Sequence, residues 1–149
     1  LVIDRCLKDK KFLVICMIVL TGITMLLADI PVLLPWSIDI ACEAGVKQEN
    51  IILDPGIGFG KDVEGNLEVM NRLQELKKFA GHRYPLLLGT SRKSFIGNTL
   101  DLPVEDRMEP TGATCVLGIT KGCEIMRVHD VLPISRMCRI TDAILATGR

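Results

Sequence analysis

The sequence has few aromatic residues and no excess of charge of either sign. Phe, Tyr and Trp make up 4% of its 149 residues, too few for a stacking platform that binds single-stranded nucleic acid. Its 18 basic and 18 acidic side chains cancel, so there is no electrostatic footprint for nucleic acid either. Nucleic acid is therefore excluded as a partner, and any anionic ligand must be held by a few cations at defined positions.

Paired cysteines are also absent. The six cysteines form no C-x-x-C pair and no regular spacing, so neither a zinc site nor a disulfide framework is indicated. We predict buried thiols in a reducing compartment, which is typical of a cytoplasmic protein, and we assign no metal ligand to any residue. A chain of this length also excludes a multidomain protein.

One segment without charge interrupts an otherwise ordinary composition. Residues 12–28 contain no charged side chain and follow a lysine-containing flank. We predict that this segment is helical. Three interpretations stay open: a buried helix, a membrane or signal segment, and a stretch that is not native to the rest of the chain. Asp4 and Asp9 interrupt the flank and make a membrane partner the less favoured of these.

Three short apolar runs recur about every 36 to 38 residues and predict buried β-strands. The runs are residues 50–53, 86–89 and 124–128. Helical patterns separate them and follow the last: residues 37–44, 67–80, a helix within 106–121, and a final helix with Asp130 as its cap and Pro133 near its start. This alternation is typical of β/α units around a parallel sheet.

Polar side chains follow each predicted strand, where a β/α barrel or an open α/β sheet builds its active site. Asp54 could accept from two parallel N–H donors, and the alternative is a turn-forming Asp before Pro-Gly. Arg127 and His129 could clamp a pyrophosphate, and the alternative is that Asp130 or Glu124 neutralises the arginine. For Lys93 the alternative is an ordinary exposed lysine.

These loops resemble the last three loop motifs of dihydropteroate synthases, folate-pathway enzymes that are inhibited by sulfonamides. The motifs are DPGIGFGK from Asp54, GTSRKSFIG from Gly89 and RVHDV from Arg127, in the family's order and spacing. The resemblance covers roughly residue 38 to the C-terminus. A pterin-binding methyltransferase domain shares the barrel and the aspartate, but the Ser-Arg-Lys-Ser and Arg-Val-His sequences favour the synthase.

The resemblance implies a (β/α)₈ barrel transferase that condenses dihydropterin-CH₂-pyrophosphate with p-aminobenzoate and releases pyrophosphate with Mg²⁺ bound. It implies that Asp54 grips the N–H edge of the pterin, that Lys93 hydrogen-bonds the ring, and that Phe59 and Ser91 border the aminobenzoate. Arg127 and His129 would hold the pyrophosphate. Gly58 and Arg92 complete the substrate-binding set, and the predicted catalytic residues are Lys93, Arg127 and His129.

The chain is shorter than a complete barrel of this family and lacks several of the family's motifs. Such a barrel needs about 250 residues, and the family's early motifs are absent, including the Asn associated with the metal. We therefore predict a partial barrel of roughly the last three β/α units over residues 37–149, after an atypical segment, residues 1–36. The missing ligands argue against turnover by this chain alone.

Two alternative functions stay open beside the synthase. One is a non-catalytic half-barrel that retains pterin binding or pairs with another chain, including a homodimer, since three strands leave a sheet edge exposed. The other is a membrane-anchored protein that uses residues 12–28.

Overall fold

The computed structural model describes residues 2–4, 13–16 and 30–147, with side chains from Leu34 onward, and has an α/β architecture. Its strands are β1 (Val2–Asp4), β2 (Leu13–Cys16), β3 (Ile51–Asp54), β4 (Lys78–Phe79), β5 (His82–Arg83), β6 (Leu87–Leu88) and β7 (Ile125–Arg127). Its α-helices are α1 (Ile30–Glu43), α2 (Val63–Asn71), α3 (Ser94–Leu100), α4 (Met108–Thr120) and α5 (Val131–Ala146). Short 3₁₀ helices cover Gln48–Asn50, Leu73–Lys77 and Val104–Asp106.

The main strands form a parallel array with one antiparallel addition. β2 pairs in parallel with β3, and β6 pairs in parallel with β7. A parallel bridge between Leu53 and Leu86 joins the two pairs, and β1 lies antiparallel beside β7. The strand order is therefore β2, β3, β6, β7, β1. Because parallel strands end at the same edge, the loops that follow β3, β6 and β7 lie together.

Strands β3, β6 and β7 contribute buried side chains to both faces of the sheet. One face contributes Leu53, Leu88 and Met126 to the main core, which the helices cover. The opposite face forms a second cluster of Ile52, Leu87 and Ile125. This two-sided burial is the reason why the strands are continuous apolar runs and not alternating ones. It confirms the three predicted strands, with a shift of one residue at each end.

The prediction of one helix over residues 67–80 is wrong in its second half. Helix α2 begins earlier, where Asp62 Oδ1 accepts a hydrogen bond from the Gly65 amide at 2.7 Å, and it ends at Asn71. A 3₁₀ helix follows and buries both Leu73 and Leu76, a spacing of three residues that suits its period. The chain then turns through the β4–β5 hairpin.

The other helices confirm some predictions and correct others. Helix α4 lies within residues 106–121 as predicted, whereas no helix was predicted between the second strand and α4, where α3 lies. Helix α1 begins at Ile30 and not near Ser37. The predicted division at residues 36 and 37 lies inside α1 and stays a prediction. Asp130 precedes α5 but forms no capping hydrogen bond, because its carboxylate is bound to Arg92.

The predicted helix at residues 12–28 is wrong where the structure describes the segment. Leu13–Cys16 forms strand β2, and the rest of the segment lies outside the described residues. Over residues 30–147 and the two strands before them, no helix is long and apolar enough to cross a membrane.

Three of the four cysteines whose side chains are described are buried as predicted, and Cys42 is only partly buried. Cys42, Cys115 and Cys123 are not in disulfides, and Cys115, Cys123 and Cys138 are buried. Burial raises the pKa of Cys115 to about 12 and that of Cys123 to about 12. These two thiols therefore stay protonated and unreactive in the native protein.

Candidate functional site

A cavity of about 280 Å³ opens where β3, β6 and β7 end. Five of the eight predicted site residues line it, together with Gly89 and Val128: Phe59, Ser91, Lys93, Arg127 and His129. The remaining predicted residues are Asp54, Gly58 and Arg92. Asp54 and Gly58 lie beside the lining residues Arg127 and Lys93, whereas the guanidinium of Arg92 is bound to the Asp130 carboxylate.

Asp54 ends β3 and is buried, with 4% of its surface exposed. Its Oδ1 accepts a hydrogen bond from the Gly56 amide at 2.9 Å, which confirms the turn-forming interpretation for that oxygen. Its Oδ2 lies 3.9 Å from Arg127 Nη2. One carboxylate oxygen thus shapes the turn, and the other lies beside a cation from β7.

Two residues that the sequence analysis did not single out anchor the glycine-rich loop after β3. Lys61 Nζ donates to the Gly56 carbonyl at 2.8 Å and to the Phe59 carbonyl at 3.1 Å. Asn66 Oδ1 accepts from the Gly58 amide at 2.6 Å. Burial lowers the pKa of Lys61, and the nearby Asp54 carboxylate partly opposes this. Helical periodicity does not reveal Asn66, because an amide on a helix is ordinarily exposed.

Lys93 crosses the glycine-rich loop and reaches Phe59. Gly58 has a φ of +78°, which favours glycine, and a Cβ there would lie 2.7 Å from Lys93 Cδ and displace that side chain. Lys93 Nζ lies 3.8 Å from the centroid of the Phe59 ring, which is a cation–π contact. Lys93 is therefore not an ordinary exposed lysine. Burial lowers its pKa, Arg127 lowers it further, and Asp54 opposes both.

Arg127 and His129 approach the cavity from β7. The Arg127 side chain is half-exposed and lies over Gly89, where an added Cβ would be 2.9 Å from Nη2. The His129 amide donates to Ser91 Oγ at 3.1 Å, and His129 Nδ1 lies 2.9 Å from the same oxygen. A hydroxyl that accepts from the amide can donate to Nδ1. That tautomer leaves Nε2–H as a donor.

The carboxylates proposed as alternative partners of Arg127 are engaged elsewhere. Asp130 Oδ1 and Oδ2 accept from Arg92 Nη2 and Nε at 2.7 and 3.0 Å. Glu124 pairs with Lys77. The guanidinium of Arg92 is consequently absent from the cavity lining, although the family resemblance implies that Arg92 binds substrate.

The charge of the site suits an anion better than a metal ion. The cavity lining carries Lys93, Arg127 and His129, and the nearby Asp54 carboxylate is shared with the turn and with Arg127. Among the described residues, no group of three or more His, Cys, Asp and Glu side chains could hold a metal. These donors do not fit a resident Mg²⁺ ion, because carboxylate and carbonyl oxygens are its usual protein ligands.

Comparisons with known proteins identify the family. A family model described as pterin binding enzyme matches residues 25–129. Dihydropteroate synthase of Bacillus subtilis is 60% identical over 112 residues, which are 75% of this chain and 38% of that protein. The synthase of Clostridium beijerinckii is 61% identical over 109 residues, 72% of this chain and 39% of that protein. The chain thus spans about two fifths of the length of these relatives.

Solved structures agree with the sequence relatives. A dihydropteroate synthase from Clostridium difficile, solved in the presence of pteroic acid, is 47% identical to this chain, with a TM-score of 0.80. The match covers 89% of this chain and 50% of the solved chain. The synthase of Burkholderia cenocepacia is 28% identical to this chain, with a TM-score of 0.85, and the match covers 93% of this chain and 56% of the solved chain. The likeness confirms the α/β fold class and the resemblance of the three loops. The chain belongs to the pterin binding enzyme family, and the relatives that it matches over most of its length are dihydropteroate synthases.

Proposed function

We propose that this chain carries the last β/α units of a dihydropteroate synthase barrel and serves the condensation of dihydropterin-CH₂-pyrophosphate with p-aminobenzoate. The observation that carries this proposal is the convergence of Lys93, Arg127 and His129 with Phe59 on one cavity beside the buried Asp54. A relative from Yersinia pestis solved as a sulfonamide drug complex supports it.

The pterin would bind at the Asp54 side of the cavity. Asp54 Oδ2 can accept from an N–H edge of the ring, while Oδ1 keeps the turn in place. Lys93 Nζ would leave the Phe59 ring and donate to a ring acceptor, since a cation–π contact in an open cavity is weaker than a direct hydrogen bond. Phe59, half-exposed, would then be available to the aminobenzoate ring.

The reaction would proceed by displacement at the methylene carbon. The amine nitrogen of p-aminobenzoate forms a bond to that carbon while the bond from carbon to the diphosphate oxygen breaks. The amine then releases a proton to solvent, so no protein base is needed. Negative charge grows on the leaving oxygen, where Arg127 and His129 stabilise it. Ser91 holds the His129 ring in place, and Asp54 and Lys93 align the pterin carbon with the amine.

The family also uses Mg²⁺, for which the donors of this site do not provide ligands. If Mg²⁺ takes part, the oxygens of the substrate's diphosphate and water would hold it. The proposed steps do not use the metal, because Arg127 and Lys93 supply positive charge and His129 supplies a hydrogen-bond donor around the diphosphate.

A second candidate function is a non-catalytic half-barrel that binds pterin or pairs with another chain. The observation that favours it is the open sheet, since β2 and β1 are the outermost of the described strands. A homodimer is one form of such pairing, and a methyltransferase domain stays a prediction. The cysteines outside disulfides support a reducing, cytoplasmic location.

Calorimetric titration with dihydropterin pyrophosphate and Mg²⁺ tests the proposal. We expect the chain to bind this substrate and the Asp54→Asn variant to lose most of the affinity, because an amide offers only one acceptor oxygen. Asp101→Asn, at an exposed helix end, is the matched control and should bind like the wild type. A folded wild-type chain that does not bind would refute the proposed site. Binding without turnover of p-aminobenzoate would favour the half-barrel.

A further inference from the structure

We infer that Arg92 and Asp130 are a positioning pair, which ties the loop carrying Ser91 and Lys93 to the turn carrying His129 before any anion binds. This inference rests on the proposed function, because Lys93 and His129, which the pair would position, belong to the proposed diphosphate site. Neither residue lines the cavity, and each is adjacent in sequence to a residue that does.

The contact between the two side chains has the geometry of a strong ion pair. Arg92 Nη2 donates to Asp130 Oδ1 at 2.7 Å, and Arg92 Nε donates to Asp130 Oδ2 at 3.0 Å. Two parallel hydrogen bonds fix the relative orientation of both groups, which a single bond cannot do. The side chains are 35% and 23% exposed, so the pair is partly shielded from water and salt. Arg92 lowers the pKa of Asp130, which keeps the carboxylate ionised.

The backbone of Arg92 is also held, from the side of α4. Its amide donates to Thr111 Oγ1 at 3.1 Å, and its carbonyl accepts from Arg107 Nη1 at 3.2 Å. Arg92 has a φ of +57°, a conformation that costs a non-glycine residue free energy unless the surroundings impose it. The side-chain pair and the backbone bonds together hold this residue between two residues that face the cavity.

A second link joins the same two loops. Ser91 Oγ accepts from the His129 amide and lies 2.9 Å from His129 Nδ1. The residue pairs 91 with 129 and 92 with 130 are thus bound in register across the gap between the loops. With one link alone, the loops could rotate about it. Two adjacent links prevent that rotation.

The electrostatics of the cavity explain why such links are needed. Lys93 and Arg127 repel one another, and Arg127 lowers the pKa of Lys93 for that reason. Without an anion in the cavity, this repulsion favours separation of the β6 and β7 loops. The attraction between Arg92 and Asp130 acts between the same loops with the opposite sign. Because the two loops are already ordered, anion binding does not lose affinity to the entropy cost of ordering them.

The experiment compares variants of the full chain by two measurements: calorimetric affinity for inorganic diphosphate, and hydrogen exchange of the Arg92 and His129 amides. Asp130→Asn removes the charge with little change of shape. The double variant Arg92→Asp with Asp130→Arg reverses the pair, and Asp tolerates the positive φ at position 92. Glu75→Gln is the matched control, because Arg72 Nε and Nη2 donate to Glu75 Oε1 and Oε2 in a similar pair that is exposed and lies outside the cavity lining.

We expect Asp130→Asn to bind diphosphate about tenfold more weakly than the wild type and to exchange faster at both amides, with other core amides unchanged. The reversed pair should recover much of both losses, and Glu75→Gln should show neither. Wild-type affinity and unchanged exchange in Asp130→Asn would overturn the inference, and so would a failure of the reversed pair to rescue either measurement. If the wild type itself binds no diphosphate, the proposed function fails. Faster exchange of the Arg92 and His129 amides in Asp130→Asn would still show that the pair holds the two loops together.

Discussion

Charged side chains gather at both ends of the parallel strands, but they are paired differently at the two ends. At the amino end, the almost buried Lys77 contacts Glu124 and the Gly122 carbonyl. Glu124 Oε2 also accepts from the Leu86 amide at 2.9 Å. At the carboxyl end, Lys93 and Arg127 share the neighbourhood of Asp54, and the Arg127 contact with it is 3.9 Å long.

The difference separates charges that stabilise the fold from charges that wait for a ligand. At the amino end each charge has a close partner inside the protein, so its removal leaves the other group buried and uncompensated. At the carboxyl end cations exceed carboxylates around an open cavity, and an anion would complete the balance. We therefore expect substitutions at the first end to change stability and those at the second to change binding.

The largest effect should follow from Glu124→Gln. Loss of the carboxylate leaves Lys77 without its counter-charge, and the side chain of Lys77 is 9% exposed. We expect the free energy of unfolding to fall by about 3 kcal/mol, measured by urea denaturation, with unchanged affinity for diphosphate. Glu75→Gln breaks an exposed pair and should cost less than about 0.5 kcal/mol. Equal losses in the two variants would contradict the comparison.

Arg127→Met tests the carboxyl end. Removal of a charged donor should lower the affinity for inorganic diphosphate by about 2 kcal/mol, as measured by calorimetric titration. The side chain is half-exposed and its nearest carboxylate is 3.9 Å away, so the free energy of unfolding should change little. A variant that loses stability but keeps its affinity would assign Arg127 to the fold and not to the site.

Two glycines with a similar backbone separate conformational strain from crowding. Gly58 and Gly45 have φ values of +78° and +87°, but a Cβ contacts Lys93 only at Gly58 and has open space at Gly45. Each Gly→Ala substitution should lower the free energy of unfolding by about 1 kcal/mol. Only Gly58→Ala should also weaken diphosphate binding, because its methyl group displaces Lys93. Weaker binding in Gly45→Ala would show a global effect.

The smallest effect is a pH dependence that has opposite signs for stability and for binding. The pKa of Lys93 is lowered in the folded protein, so between that value and 10.5 the unfolded chain binds more protons. The lysine's contribution to stability therefore rises with pH in this window, whereas diphosphate affinity falls as the ammonium loses its proton. The difference between wild type and Lys93→Met isolates both trends. Lys93→Arg should bind without this pH dependence.

Much of the fold followed from local patterns. The three strands, the helix within residues 106–121 and the burial of Cys115, Cys123 and Cys138 were predictable, because apolar runs and spacings report directly on burial. The end of α2 was not predictable: Leu73 and Leu76 are buried equally well by an α-helix and by a 3₁₀ helix, and only packing selects between them. Helix α3 was not predicted because seven residues are too few to show a helical pattern of apolar positions.

The sequence by itself determined which side chains follow each strand, and parallel strands bring those positions to one edge. That was sufficient to predict Ser91, Lys93, Arg127 and His129 at a common edge, whereas Phe59 was predicted only from the family resemblance. Only the tertiary structure decided how the neighbours are bound: Arg92 to Asp130, Lys61 to two loop carbonyls, and Asn66 to Gly58. These contacts depend on distances between segments far apart in the chain or on the fold of a loop, which residue type and spacing do not encode.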